Sequence, residues 1–312
     1  MDVGGTKVLG IAVDGAGNPV AEHRLPTPAG GPAVLEALFA VVGALGPPAA
    51  VGVGMPGLVD VGGVLRFAPN LAGVVDLDVR GALQARFPDI PVRIDNDATC
   101  AGWAEARVGA ARGATDAVLV TLGTGIGGGV IAGGRVMRGA HGFGAEVGHM
   151  VVDPGGPPCP CGQRGCWERF ASGSGLGWLA REGAVAAPAG RLVALAGGDP
   201  EAVRGEHATA AAAEGDEVAL GVMATFGRWV ALGLANLANI FDPEVFVLGG
   251  GLVEAGDVLL APVRTAFAGM VLAGAHRPPI PVVAAALGER AGAIGAALLA
   301  GDEAVEVAGG GS

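Results

Sequence analysis

Four apolar, β-rich runs in this chain each meet a cluster of glycines, and that pattern constrains the fold more than any other feature. The runs are MDVGGTKVLGIAVDGAGNPV, AAVGVGMPGLVD, AVLVTLGTGIGGGVIAGGRVMRG and EVFVLGGGLVEAGDVLLAPV. Glycine lets a backbone turn tightly and approach a ligand closely. The first and third runs share one design, a strand, a Gly-Thr turn and a second strand, which hints at a duplicated domain. Backbone N–H groups beside a threonine hydroxyl suit phosphate oxygens. An ordinary hairpin turn uses the same residues. Two such loops, together with a glycine loop that opens a helical pattern, favour a nucleotide.

Three familiar glycine motifs fail on context. Gly123, Gly125 and Gly128 satisfy the dinucleotide fingerprint, but GVIAGGRV follows, which reads as a strand where that motif needs a helix. The same glycines mimic a protein-kinase loop, yet the chain has no V-A-I-K, H-R-D or D-F-G stretch. GGTK lacks the spacing of a Walker A loop.

With 312 residues the chain has room for two domains. Its net charge of -11, with no basic run, argues against nucleic acid and anionic membrane as partners. Residues 37–59 are uncharged over a spanning length, but Pro47, Pro48 and Pro56 break them into a buried helix, a turn and a buried strand. No leader pattern precedes them, so the cytosol is expected, where reduced thiols disfavour a structural disulfide. Lys7, inside DVGGTK, is the only lysine among 19 Lys and Arg residues, which points to a role that arginine does not fill.

PVRIDNDATCAGWAEARVG reads as strand, polar turn and helix. Asp95, Asn96 and Asp97 stand at the junction, where strand tips in α/β sheets meet ligands. A helix cap needs one of them; another could orient a hydroxyl and take its proton. Asp2 ends the first strand, either as a turn residue or as a water-mediated magnesium contact. Cys159, Cys161 and Cys166 form C-x-C-x4-C in a proline-stiffened loop, with His149 as a fourth zinc ligand; a redox pair or buried thiols are the other readings. Cys100 stands apart as a small core residue. Glu146 and His149 share a face if that stretch is helical, and Glu168 follows the cluster closely. Exposed salt bridges or a polyhydroxylated ligand would both use these carboxylates.

Taken together, DVGGTK, GMPGLVD, APNLAG, IDNDA, LGTGIGGG, GAEVGHMVVDPGG…CPCGQRGCWERFASG and VLGGGL resemble, in number and order, the ROK family of sugar kinases and repressors. The likeness runs almost the whole length and is nearest to bacterial glucokinases. It implies an α/β fold of two actin-like (ribonuclease H-like) domains with the active site in a cleft. Residues 1–112, completed by a C-terminal helix at 288–302, would form one domain, and 113–287 the other. Asp97 would be the general base toward the 6-hydroxyl of glucose. Asn70, Asn96, Glu146, His149 and Glu168 would hold other hydroxyls. Asp2, Gly4, Gly5, Thr6, Lys7, Thr124 and Gly125 would face ATP and its Mg2+, and Gly249, Gly250 and Gly251 the nucleoside. Structural Zn2+ would sit on His149, Cys159, Cys161 and Cys166. A homodimer or homotetramer is expected from the resemblance. Related hexoses (mannose, fructose, N-acetylglucosamine, N-acetylmannosamine) or a polyphosphate donor are alternatives. So is a non-catalytic sugar-sensing regulator, although regulators of this kind carry a DNA-binding segment ahead of the first phosphate loop. Family members usually have further apolar residues before the first aspartate, where this sequence has Met1, so a short first strand is expected. AGGGS at the other end reads as disordered.

Overall fold

The computed structural model describes residues 1–309; the final residues of AGGGS, 310–312, lie outside the described residues. The chain divides into two compact units. Unit 1 holds Met1–Leu119, Gly129–Ala145 and Ala286 onward, and unit 2 holds Val120–Gly128 and Glu146–Ala285.

Unit 1 begins with β1 (Asp2–Val3), β2 (Lys7–Val13) and β3 (Pro19–Pro26), followed by α1 (Gly31–Leu45) and β4 (Val51–Met55). The uncharged run at 37–59 is thus the end of α1, a proline turn and a fully buried strand. Pro32 pre-sets the helix start, and Gly46 with a φ of 89° ends it. Next come β5 (Leu58–Val59), β6 (Val64–Phe67) and β7 (Val75–Asp78), a small antiparallel sheet. Helix α2 (Val79–Arg86), strand β8 (Val92–Asn96) and helix α3 (Asp97–Val108) follow. The main sheet has the order β3-β2-β1-β4-β8. Its β1, β4 and β8 run parallel, in a register that sets Asp2 opposite Gly54 and Gly54 opposite Asp95. Asp2 and Asp95 therefore reach the same level at the carboxyl ends of β1 and β8, on either side of β4, where α/β sheets bind ligands. Val3, Val8, Leu38, Val41, Val53 and Leu83 pack the core on one face.

The other five-stranded sheet has the order β11-β10-β9-β12-β13. It comprises β9 (Ala117–Leu122), β10 (Ile126–Ala132), β11 (Arg135–Val136), β12 (Val245–Gly249) and β13 (Val282–Ala284), and β9 and β10 pass from one unit to the other within their length. Unit 2 adds α4 (Glu168–Ala171), α5 (Gly173–Ala186), α6 (Arg191–Leu195), α7 (Gly205–Ala213), α8 (Glu217–Phe241) and α9 (Asp257–Met270). Asp216 caps α8 by accepting from Ala219 N. By length and composition α8 is, among the described residues, the one helix that could cross a membrane, but 56% of its most apolar window is buried within the protein. It is the core helix of unit 2, and its Phe226 and Leu234 are fully enclosed.

The chain closes on α10 (Ala291–Gly309), back in unit 1. This helix lies so near β4 and α3 that a Cβ on Gly52 would stand 1.7 Å from Ala296 O, and one on Gly295 would stand 1.7 Å from Cys100 O.

Candidate functional site

In unit 1, the DVGGTK loop is an antiparallel hairpin joining β1 to β2. Gly4 N donates to Lys7 O at 2.8 Å, and Thr27 pins the loop through Oγ1 to Gly4 O (2.6 Å) and through its N–H to Thr6 O (3.1 Å). Gly5 and Thr6 stay exposed at the tip. A Cβ on Gly5 would come within 3.2 Å of Asn70 O, so the APNLAG loop borders the hairpin. Burial pushes the Asp2 carboxyl above the usual range, and the backbone of α10 at Gly292 packs directly against that carboxylate. Thr27 carries no local sequence signal of this role, because its partners lie more than 20 residues earlier, in the β1–β2 loop.

At the β8–α3 junction the three polar residues divide their work. Asn96 is the cap: its Oδ1 accepts from Thr99 N at 3.0 Å, while its Nδ2 donates to Gly57 O at 3.1 Å. Asp95 is only 6% exposed and accepts from Arg138 Nε at 2.6 Å, with Arg93 at 3.6 Å. Asp97 opens the first turn of α3, with Oδ1 accepting from Ala98 N at 2.8 Å. A carboxylate there gains from the positive end of the helix dipole. Arg138 escapes the sequence reading because nothing in VMRGAHG distinguishes it from a turn residue.

In unit 2, LGTGIGGG is again a hairpin, from β9 to β10. Gly123 N donates to Gly125 O (3.0 Å) and Gly127 N to Thr121 Oγ1 (3.0 Å), leaving Thr124 exposed at the tip. The start of α5 docks on this loop, Gly173 N donating to Gly123 O (2.8 Å) and Ser174 Oγ to Thr124 O (3.3 Å). Gly249 ends β12, and Gly250 takes a φ of 82° so close to β9 that a Cβ would stand 2.5 Å from Leu122 O. That approach sets the turn at Gly251–Ala255 beside the second loop. A cavity of about 1150 Å3 results, lined by Gly123 and Thr124, by Gly173 and Ser174 of α5, by Arg204, Glu206 and Thr209 near the start of α7, and by Gly251 and Leu252. Two glycine loops distant in sequence thus share one concave surface. The α5 and α7 residues were missed. SGSG at the start of α5 is a legible helix start that could have found Ser174, whereas Arg204 and Glu206 carry no motif.

The cysteine loop folds as a tight hairpin. Cys159 N donates to Gln163 O (2.8 Å), Gly162 N to Cys159 O (3.0 Å), and short bridges join Val151 to Cys166 and Pro158 to Arg164. Trp167 anchors it, fully buried, with its indole N–H on Trp229 O at 2.7 Å. One ligand atom from each of His149, Cys159, Cys161 and Cys166 lies within 4.8 Å of the others. Cys161 and Cys166 Sγ are 3.6 Å apart, and Cys159 Sγ is 3.9 Å from His149 Nδ1. Atoms around a tetrahedral zinc with bonds of about 2.0–2.3 Å stand roughly 3.4–3.8 Å apart, so the set fits a metal of that kind. Burial pushes the Cys159 and Cys166 thiols up, which leaves them protonated until a metal displaces the proton.

Glu146 and His149 are joined by a 3₁₀ turn (Val147–His149), tighter than the α-helical face expected, with His149 N on Glu146 O at 3.1 Å. Burial raises the Glu146 carboxyl. Glu168 Oε1 lies 3.1 Å from Cys159 Sγ and 3.8 Å from His149 Nδ1, so it borders the metal cluster directly. Its Oε2 would be 2.7 Å from a Cβ on Gly125, which sets this carboxylate against the second hairpin loop.

Parallel strands that carry acids at their carboxyl ends, together with paired glycine hairpins on α/β sheets, define a protein of the actin-like, ribonuclease H-like class. The sequence pattern of the ROK family matches residues 1–303, and the chain belongs to that family. It is 40% identical over 306 residues to a glucokinase of Streptomyces coelicolor, with 96% of each chain covered. Among solved structures it matches a ROK family glucokinase from Streptomyces griseus in complex with glucose and AMPPNP, with a TM-score of 0.84 at 39% identity, covering 96% of this chain and 98% of that one. A ROK hexokinase from Thermus thermophilus matches with a TM-score of 0.80 at 36% identity over 98% of both chains.

Proposed function

We propose that the protein is an ATP-dependent glucokinase that transfers the terminal phosphoryl group to the 6-hydroxyl of glucose. The observation that carries this reading is the unit 2 cavity, where Thr124 of one glycine loop and Gly251 of another line a volume fit for a nucleotide. The kinship with glucokinases supplies the acceptor.

In this reading Asp97, in the first turn of α3, takes the proton of the 6-hydroxyl as the phosphoryl group arrives. Asn70, Asn96, Glu146, His149 and Glu168 orient the other hydroxyls. Asn96 has one Nδ2 hydrogen beyond the one committed to Gly57. Gly4, Gly5, Thr6 and Lys7 on the first hairpin, and Thr124 and Gly125 on the second, meet the phosphates through exposed backbone and hydroxyl groups. Gly249, Gly250 and Gly251 let the nucleoside approach β12. Asp2 would hold, through water, the Mg2+ that accompanies ATP, and that ion would supply charge neutralisation for the phosphates. His149, Cys159, Cys161 and Cys166 would hold a Zn2+ that cross-links the loop bearing His149 and Glu168 without entering the transfer.

Residues 1–112 with the helix at 288–302 carry the base and the first loop, and residues 113–287 carry the rest. The exposed apolar side chains Trp178, Val185 and Leu220 support a homodimer or homotetramer, and the thiol-rich metal site suits the reducing cytosol.

The test is a coupled assay of glucose, mannose, fructose, N-acetylglucosamine and N-acetylmannosamine, each with ATP and with polyphosphate. Glucose with ATP is expected to give the highest kcat/KM. Another best sugar or donor reassigns the substrate, and no turnover with any pair refutes the kinase reading.

A further inference from the structure

Lys7 is not isolated. Its ammonium is ion-paired with Glu289 of the 3₁₀ turn Gly288–Arg290, just ahead of α10. Glu289 also holds Arg24 of β3, whose guanidinium lies 2.6 Å from Oε1, leaving Oε2 to Lys7. Arg24 reaches Glu22 at 3.3 Å, and Arg290 closes the chain on Glu22 at 3.0 Å. All of these residues belong to unit 1. The paired cations hold the Glu289 carboxyl down at about 2, so it is anionic across the working pH range. A carboxylate beside a phosphate loop is unexpected, because it repels the ligand the loop serves and occupies the cation that should attract it.

We propose that Glu289 is a positioning residue that holds the Lys7 ammonium in reserve and competes for it with the phosphates of the nucleotide. The proposal rests on the reading of Lys7 as a phosphate contact. The two carboxylate oxygens make the exchange feasible. When Lys7 turns to the phosphates, Glu289 keeps Arg24 on its other oxygen and is not left as an unpaired charge. With Glu289 half-exposed, the pair is a weak competitor that lowers donor affinity without blocking it. Donor affinity would thereby be set by a residue outside every glycine motif.

The experiment compares Glu289→Gln, Glu22→Gln, Lys7→Met and the Glu289→Gln/Lys7→Met double variant with the wild type. It reads AMPPNP affinity by calorimetry together with KM for ATP, KM for glucose and kcat. Glu289→Gln is expected to tighten AMPPNP and lower KM for ATP about two- to fivefold, as befits loss of one exposed pair, with KM for glucose unchanged. The gain is expected to shrink at high salt and to vanish in the double variant. Glu22→Gln, which alters the same network without touching Lys7, is expected to leave AMPPNP affinity as it is. A merely structural network would instead lower Tm in both variants and move both KM values together, and that outcome overturns the proposal. So does unchanged or weakened AMPPNP binding in Glu289→Gln when Lys7→Met weakens it. If Lys7→Met itself leaves AMPPNP affinity unaltered, both the proposal and the phosphate role of Lys7 fall. If the wild type neither binds AMPPNP nor turns over ATP, the kinase reading falls as well.

Discussion

Asp97 shows how much one side chain is asked to do. Its Oδ1 is engaged with Ala98 N, an interaction that an asparagine oxygen reproduces. Asp97→Asn is therefore expected to keep Tm and glucose affinity while kcat falls about 10²–10⁴-fold, the usual loss when a general base is removed. Near-normal kcat would take the base role away from Asp97. Gly125 offers a second test at this scale. An added methyl would meet the end of the flexible Glu168 side chain and no backbone atom, so the fold can yield cheaply. Gly125→Ala is expected to leave Tm nearly unchanged while kcat/KM for glucose falls by up to about 10²-fold, because Glu168 is displaced from the sugar. An active variant with the wild-type KM would show that Glu168 does not touch the substrate. Asp97 is legible in the sequence because it stands at a strand–helix junction within a short polar run. Arg138, Thr27 and Glu289 are not, because each acquires its role from a partner far along the chain.

Among the elements, the cysteine hairpin and α10 differ in how their sequences announce them. The hairpin is legible because its ligands fall within one loop, where prolines and the C-x-C spacing leave few other arrangements. The small sheet β5-β6-β7 is less so, its strands being two to four residues long and broken by turn residues. α10 reads as an apolar helix, but its glycine is not decoration: Gly295 lets α10 touch the backbone of α3. Gly295→Ala puts a methyl against a rigid carbonyl in a full core, unlike the yielding carboxylate at Gly125. The expected loss is at least about 3 kcal/mol, at the upper end of overpacking effects. Urea unfolding measures it; a variant within about 1 kcal/mol of wild type would mean that the helix is free to shift away from α3.

For the whole molecule, unit 1 has a hydrophobic core of its own, and the metal cluster lies in unit 2. The cluster fastens a loop with little hydrophobic content of its own. Apart from Trp167, its buried side chains are those of Cys159 and Cys166, while Cys161 is exposed. Protein as purified is expected to hold about one zinc per chain, and Cys161→Ser to lose it, because three ligands bind a structural zinc far more weakly than four. Removing the metal should then act locally. Amide exchange is expected to speed up through 147–177, which spans the hairpin, α4 and the first turns of α5, and to stay slow in β2, β4 and β8 of unit 1. Activity should fall with this loosening, since His149 and Glu168 lose their support while Asp97 keeps its own. Uniform acceleration across both units would mean that the metal supports the whole fold. Unchanged exchange with full activity in a metal-free protein would mean that the thiols serve some purpose other than scaffolding.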